Sequence, residues 1–229
     1  MIEFLFLDMD NTILDFDMAE RIAIPKTLSA FGVNVTEGLL ARYHAINKTC
    51  WEMLERGEIT REEVGTRRFS EIFAQEGVEG DAAACNDLYL KNLAIGHYFL
   101  PGAEEAVQRL SKKYRLYLAS NGTASVQEGR MTSANLYPYF EKVFISERIG
   151  ANKPAKEFFD RSFAQIPDFD PKKAMIVGDS LTSDILGGIN AGIATCWVNP
   201  KHKPGKPEIK ADYEIEGLHQ LEALLETIK

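Results

Sequence analysis

The sequence predicts an α/β fold, a doubly wound and mostly parallel sheet that carries an inserted α-helical segment. Three observations lead there. Short apolar runs recur along the chain, helical periodicity fills most gaps between them, and residues 16–97 show helical periodicity without a strand. Phe4-Leu5-Phe6-Leu7, stopped by Asp8, suits a strand buried on both faces of a parallel sheet. Leu116-Tyr117-Leu118-Ala119, Val143-Phe144-Ile145, Ala174-Met175-Ile176-Val177 and Ala194-Thr195-Cys196-Trp197-Val198 repeat the design, and a last short strand is expected near Tyr213. Between strands, Ala103, Ala106, Val107 and Leu110 follow Pro101-Gly102 at i, i+3, i+4, i+7 spacing, which predicts a helix. Strands alternating with helices imply right-handed crossovers.

The insertion breaks that alternation. Glu20 to Phe31, ended by Gly32, predicts one helix. Leu39, Tyr43, Ile46, Cys50 and Leu54 trace the stripe of a second. Thr60 followed by Glu63 reads as a capping box that opens a third. The expected organisation is a core of residues 1–15 and 98–229, with residues 16–97 as a helical cap over the sheet's carboxyl edge. Pro200 to Pro207, rich in lysine, reads as a solvated loop before the last strand.

Composition narrows the function. The 229 residues carry 34 acidic and 26 basic side chains, a formal net charge of -8, and 45% of them are apolar. Extended disorder is excluded, and an acidic chain lacks the basic face that binding a nucleic acid polymer needs. No apolar run approaches the roughly 20 residues that span a bilayer. Met1-Ile2-Glu3-Phe4 has no basic region of the signal-peptide kind. Cys50, Cys85 and Cys196 are odd in number and have no Cys-x-x-Cys pairing, so neither a disulfide framework nor a zinc site is expected. A cytoplasmic protein is the expectation, with no membrane partner and as a monomer or homodimer.

Four polar clusters follow the strands. Asp8-Met9-Asp10-Asn11-Thr12 places two carboxylates at i and i+2, on one side of an extended segment. Their repulsion, about 4 kcal/mol at 4 Å and an effective dielectric of 20, is most simply relieved by a hard divalent cation. Magnesium suits one or two carboxylates completed by water and substrate oxygens. The pattern alone also fits an acidic turn, but not an EF-hand, whose glycine position is Ile13. Ser120-Asn121-Gly122 offers a hydroxyl and turn amides to an anion, or forms an ordinary turn. Lys153 before Pro154 sits in an extended backbone that gives its ammonium a defined direction. Gly178-Asp179-Ser180, with Asp184 beyond, ends the fourth strand, where Asp184 could cap the next helix. In an open parallel sheet all four clusters meet outside the carboxyl ends. Three carboxylates (Asp8, Asp10, Asp179), one ammonium (Lys153) and one hydroxyl (Ser120) suit phosphoryl transfer.

In these motifs the sequence resembles the haloacid dehalogenase (HAD) superfamily of phosphohydrolases along almost its whole length, with a Rossmann-like core and an α-helical cap of the first type. Asp10 separates it from the dehalogenases themselves. The resemblance implies a magnesium-dependent phosphate monoester hydrolase. Asp8 would be the nucleophile that becomes an aspartyl-phosphate, and Asp10 the general acid and base. Asp8, Asp179 and the backbone carbonyl of Asp10 would hold magnesium. Lys153, Ser120 and the Asn121 amide would bind phosphate oxygens, Thr12 would orient the first motif, and Ser180 and Asp184 would support the ligands from behind. Ile46-Asn47-Lys48-Thr49-Cys50-Trp51, Gly57-Glu58-Ile59-Thr60 and Arg67-Arg68-Phe69 resemble the non-canonical pyrimidine 5'-nucleotidases. That implies a nucleoside monophosphate substrate, with Asn47, Trp51 and Arg67 or Arg68 near it. Trp51 also fits cap packing.

Other readings remain open at this stage. They are a phosphoglycolate or sugar-phosphate phosphatase, a phosphosugar mutase, and a phospho-accepting or inactive binding module. A Ser-His-Asp hydrolase lacks its Gly-x-Ser-x-Gly elbow and a Walker-type hydrolase its Gly-Lys-Ser/Thr loop.

Overall fold

Phe4, Leu5, Phe6 and Leu7 are all fully buried, which a strand achieves only where both faces of its sheet are covered. They form β1 (Phe4–Leu7) in the interior of a six-stranded sheet in the computed structural model, which describes residues 1–228. Alternation sends Leu5 and Leu7 to one face, among Leu116, Leu118, Met175 and Val177. Phe4 and Phe6 go to the other, among Tyr117, Phe144, Phe158 and Ile176. Burying each such side chain stabilises the fold by roughly 1.5–3 kcal/mol.

In chain order there follow α1 (Phe16–Ala30), α2 (Glu37–Glu55), α3 (Arg61–Glu76), α4 (Ala82–Ala94), α5 (Ala103–Leu110) and β2 (Arg115–Ser120). Next come α6 (Ala124–Ser133), β3 (Lys142–Ile145), α7 (Ser146–Ile149), α8 (Lys156–Phe163) and β4 (Ala174–Gly178). The chain closes with α9 (Leu186–Ala191), β5 (Ala194–Val198), β6 (Tyr213–Ile215) and α10 (Leu221–Thr227). The strand order is β3-β2-β1-β4-β5-β6, and every pair is parallel. α5 and α10 supply Ala106, Val107, Leu110 and Leu221 to one face, and α8 supplies Phe158 and Phe159 to the other. This is a doubly wound α/β fold. Strand order reverses at β1 and β4, so the crevice between their carboxyl ends is the place for a ligand.

Two compact units share the chain, Met1–Phe16 with the residues from His97 onward, and Asp17–Gly96. Within the second, Thr60 closes the expected capping box, accepting from Glu63 N at 3.2 Å while Glu63 Oε2 accepts from Thr60 N at 2.7 Å. α1 begins at Phe16, ahead of the expected Glu20, and runs through Pro25. A fourth helix, α4, buries Cys85, Tyr89 and Leu93 and starts at Asp81, whose Oδ1 accepts from Ala83 N and Ala84 N. Its stripe of one residue per turn is too sparse to stand out in the sequence. Among the described residues, no helix is long and apolar enough to cross a membrane.

Candidate active site

The switch in strand order fixes the first motif. Asp8 follows β1 directly, and its N–H extends the ladder by donating to Val177 O at 2.9 Å. The chain then turns on Met9 O, which accepts from Ile13 N at 3.0 Å and Leu14 N at 2.9 Å. Asn11 takes the left-handed φ of 54° that this turn requires, which asparagine tolerates better than most side chains. Its Oδ1 accepts from Phe16 N at 3.0 Å.

Lys153 is the hub. Its ammonium, 1% exposed, donates to Asp8 Oδ1 at 2.8 Å, Asp184 Oδ1 at 2.6 Å and Ala119 O at 2.5 Å. All three of its donors are therefore used within the protein. The Lys153–Pro154 peptide is cis. Asn121 clamps the backbone there: its Oδ1 accepts from Lys153 N and its Nδ2 donates to Lys153 O, both at 2.8 Å. The Asn121 side chain thus holds the lysine rather than an anion.

Asp184 lies in a short π-helical turn, Leu181–Ile185, rather than at the cap of an α-helix. Ser180 caps this turn by accepting from Ser183 N at 3.2 Å. Asp184 is buried, with Ser180 N donating to its Oδ2 at 3.1 Å. Gly178 makes that approach possible, since a Cβ there would fall 2.2 Å from Asp184 Oδ2. Asp179 stands beside it at the tip of β4, half-buried, and its carbonyl accepts from Trp197 Nε1 at 2.9 Å.

Asp8, Asp179 and Asp184 each offer a carboxylate oxygen, and these oxygens lie within 4.8 Å of one another. Burial, with Asp184, Asp10 and Asp179 nearby, pushes the Asp8 carboxyl well above its usual range despite Lys153. Burial and the Asp184 charge push Asp179 up to about 7. Burial disfavours the Lys153 ammonium, but Asp184 and Asp8 outweigh it and hold its pKa above the ordinary range. One ammonium thus stands among three crowded carboxylates, a charge deficit that a hard, oxygen-seeking divalent cation fits. Close by in the same turn, the Thr12 hydroxyl is buried without a hydrogen-bond partner.

Of the expected metal residues Asp8, Asp10 and Asp179, the carboxylates of Asp8 and Asp179 come together, and that of Asp10 does not. The third carboxylate of the group is Asp184, because the Asp10 side chain is drawn away. Gln127 Nε2 donates to Asp10 Oδ2 at 2.7 Å, and Arg130 Nη1 ion-pairs with Asp10 Oδ1. The resemblance assigns the Asp10 backbone carbonyl, and not its carboxylate, to the cation. Ser120 Oγ accepts from Gly122 N at 3.0 Å and from Gln127 Nε2 at 2.7 Å, so both lone pairs are taken and its hydroxyl proton is free to donate. Gln127 and Arg130 escaped the sequence reading. Their signal was an i, i+3 polar pair on the side of α6 that also buries Val126 and Met131.

Asn47, Trp51 and Arg68 lie in the helical unit and serve its interior. Asn47 is buried, donating to Glu20 Oε1 at 3.1 Å and accepting from Arg68 Nη1 at 2.9 Å. Arg68, expected in a cleft, is buried and also donates to Asn86 Oδ1 at 2.8 Å, since the buried Glu20 carboxylate needs charge and donors nearby. Arg67 is exposed and pairs with Glu71. Trp51 packs against Cys50, Leu54 and Val64, with the Arg61 guanidinium 5.5 Å from its ring centroid.

Residues 2–192 match the haloacid dehalogenase-like hydrolase family. YfnB of Bacillus subtilis, described as a HAD-hydrolase, is 39% identical over 96% of this chain and 94% of its own. Its magnesium-bound crystal structure superposes with a TM-score of 0.93 over 98% of both chains. The pyrimidine 5'-nucleotidase PynA of Streptococcus pneumoniae is 38% identical over 96% of this chain and 93% of its own. The pyrimidine 5'-nucleotidase YjjG of Escherichia coli is 31% identical over 97% of both. With four motifs gathered at the carboxyl edge of a parallel sheet and relatives matched along nearly their full length, the chain belongs to the haloacid dehalogenase-like hydrolases.

Proposed function

We propose that the protein is a magnesium-dependent phosphatase that works through an aspartyl-phosphate on Asp8, with pyrimidine nucleoside 5'-monophosphates as its substrates. The observation that carries the chemistry is the grouping of Asp8, Asp179 and Asp184 around the Lys153 ammonium, with Asp10 held to one side. The substrate class rests on the two relatives named pyrimidine 5'-nucleotidases.

Asp8, Asp179 and the Asp10 carbonyl would hold magnesium, which when bound offsets the repulsion between a carboxylate and a phosphate dianion. An Asp8 oxygen bonds to phosphorus as the bond from phosphorus to the ester oxygen breaks, and Asp10 gives its proton to the leaving alkoxide. Water then attacks the same phosphorus and passes a proton to Asp10. The bond to Asp8 breaks, inorganic phosphate leaves, and both aspartates return to their starting forms. Lys153 holds Asp8 in place and places positive charge where the transition state gathers negative charge. The Ser120 hydroxyl and the Asn121 backbone amide donate to the equatorial oxygens.

A phosphate-release screen with magnesium across nucleoside monophosphates, sugar phosphates and phosphoglycolate tests this reading. Pyrimidine monophosphates should head the ranking. A flat response to every nucleotide would end the nucleotidase assignment, and phosphate release that needed a bisphosphate activator would point to a mutase.

A further inference from the structure

Gln127 and Arg130 stand three residues apart on the buried side of α6. Gln127 is 1% exposed and Arg130 fully enclosed. Between them they grip both oxygens of one carboxylate, Gln127 at Asp10 Oδ2 and Arg130 at Asp10 Oδ1. Gln127 also ties this contact to Ser120 Oγ. Burying a guanidinium costs several kcal/mol even after relaxation, and an apolar side chain at that place would carry no such penalty. The burial therefore points to a role beyond packing.

The scaffold behind the pair is fixed. Glu147, from α7, caps α6 by accepting from Ala124 N at 2.7 Å, where Thr123 supplies no side-chain cap. The Arg130 guanidinium also lies 5.7 Å from the Phe16 ring centroid, and Phe16 is pinned through Asn11 to the same turn that carries Asp10. A capped helix thus meets both the Asp10 side chain and the turn that carries it.

We infer that Gln127 and Arg130 are positioning residues that set the orientation and the proton-bearing oxygen of Asp10. The inference rests on the reading of Asp10 as the acid and base of phosphate ester hydrolysis. Arg130 and Gln127 Nε2 both donate, so each takes one lone pair of its Asp10 oxygen. The guanidinium charge at Oδ1 disfavours a proton there more than the neutral amide does at Oδ2. Oδ2 faces a neutral amide, and it is the oxygen that carries the proton to the leaving group and takes one from water. Without the pair, Asp10 turns freely, and the steps that move a proton slow while the others do not.

The test compares two leaving groups in Gln127→Met and Arg130→Lys. 4-Nitrophenolate departs without a proton, whereas an alkoxide needs one. The alkyl ester is uridine 5'-monophosphate, or ribose 5-phosphate if the wild type declines nucleotides. In both variants kcat/KM for the alkyl ester should fall by about 10²-fold, the ordinary contribution of a placed general acid. For 4-nitrophenyl phosphate kcat/KM should stay within about threefold, while kcat and KM fall together because water attack on the phospho-enzyme still needs the base. Equal losses on both esters, no loss on either, or failure of both variants to fold would overturn the inference by making the pair structural. A wild type that releases phosphate from neither ester would instead overturn the phosphatase reading.

Discussion

Gly178→Ala is a one-methyl test of how the site is held together. The added Cβ would lie 2.2 Å from Asp184 Oδ2 and 2.7 Å from Asp184 Cβ, far inside the 3.5–4.0 Å at which heavy atoms rest. No positive φ is required at Gly178, so the backbone itself tolerates alanine. Asp184 must therefore move by about 1 Å or more, and its 2.6 Å bond to Lys153 stretches beyond hydrogen-bond range. Overpacking contributes about 1–3 kcal/mol of destabilisation and the lost charge-assisted bond about 1.5–3 kcal/mol. The total, roughly 2.5–6 kcal/mol, corresponds to a fall in Tm of about 5–24 °C for a chain of this size. Thermal melts read this directly, with Gly205→Ala as the control because nothing lies within 4 Å of its Cβ position. A double-mutant cycle with Asp184→Ala tests the clash, since the alanine at 178 should cost less once the carboxylate 2.2 Å away is gone and only the Asp184 Cβ at 2.7 Å still opposes it. If Gly178→Ala melts with the control, or if its cost is unchanged in the Asp184→Ala background, the close approach of β4 to Asp184 is not what holds the site.

Asp8→Asn should abolish turnover of 4-nitrophenyl phosphate while the far-ultraviolet circular dichroism stays native, because the substitution removes the nucleophile but keeps the side chain's shape. His44, on α2, pairs with the buried Glu20 at 2.9 Å, and the hydrogen bond to Glu20 raises its pKa above the ordinary 6.5 despite partial burial. A raised folded-state pKa means the stabilisation is fully present below pH 6.5 and is lost as pH climbs through the higher folded value. Tm of the wild type should therefore decline across that interval more than Tm of His44→Gln, and parallel curves would show that the pair does not stabilise the helical unit.

The strands and the four clusters at their ends were readable because a parallel strand buried on both faces must be apolar throughout, and the first polar residue after it marks the sheet's edge. β1 and Asp8 show this directly. What could not be read is where side chains point once the backbone has turned. Asp8 and Asp10 are two apart and in a straight strand would share a side, but the chain curls on Met9 O and sends the Asp10 carboxylate to α6. Asp184 entered the acidic group through a π-helical turn whose extra residue per turn no 3.6-residue pattern anticipates. Asn47 and Arg68 are expected near the substrate, yet Asn47 bridges the buried Glu20 carboxylate and the Arg68 guanidinium, which depends on three helices meeting. Local periodicity specifies the elements, and the pairing of charges is decided only when distant elements come together.

Stability and function oppose each other at Asp179, and the conflict can be measured. Its carboxyl is pushed from an ordinary 3.8 up to about 7 by burial and by Asp184. A raised carboxyl pKa destabilises the metal-free fold as pH rises from about 4 to 7, because the unfolded chain releases the proton first, and the cost is complete above 7. Three pKa units correspond to roughly 4 kcal/mol at full effect, so Asp179→Asn should raise Tm of the chelator-treated protein by several degrees at pH 8 and by much less at pH 5. The same substitution should remove most of the rise in Tm that magnesium gives the wild type, since a cation stabilises the fold only in proportion to its affinity for the folded state. Structural crowding without a cation site predicts the first effect without the second, and an Asp179→Asn protein that still gained the full magnesium shift would take Asp179 out of the metal's ligands. If neither shift appeared, the repulsion among Asp8, Asp179 and Asp184 would have to be relieved within the protein itself, and the reason for expecting a cation there would be gone.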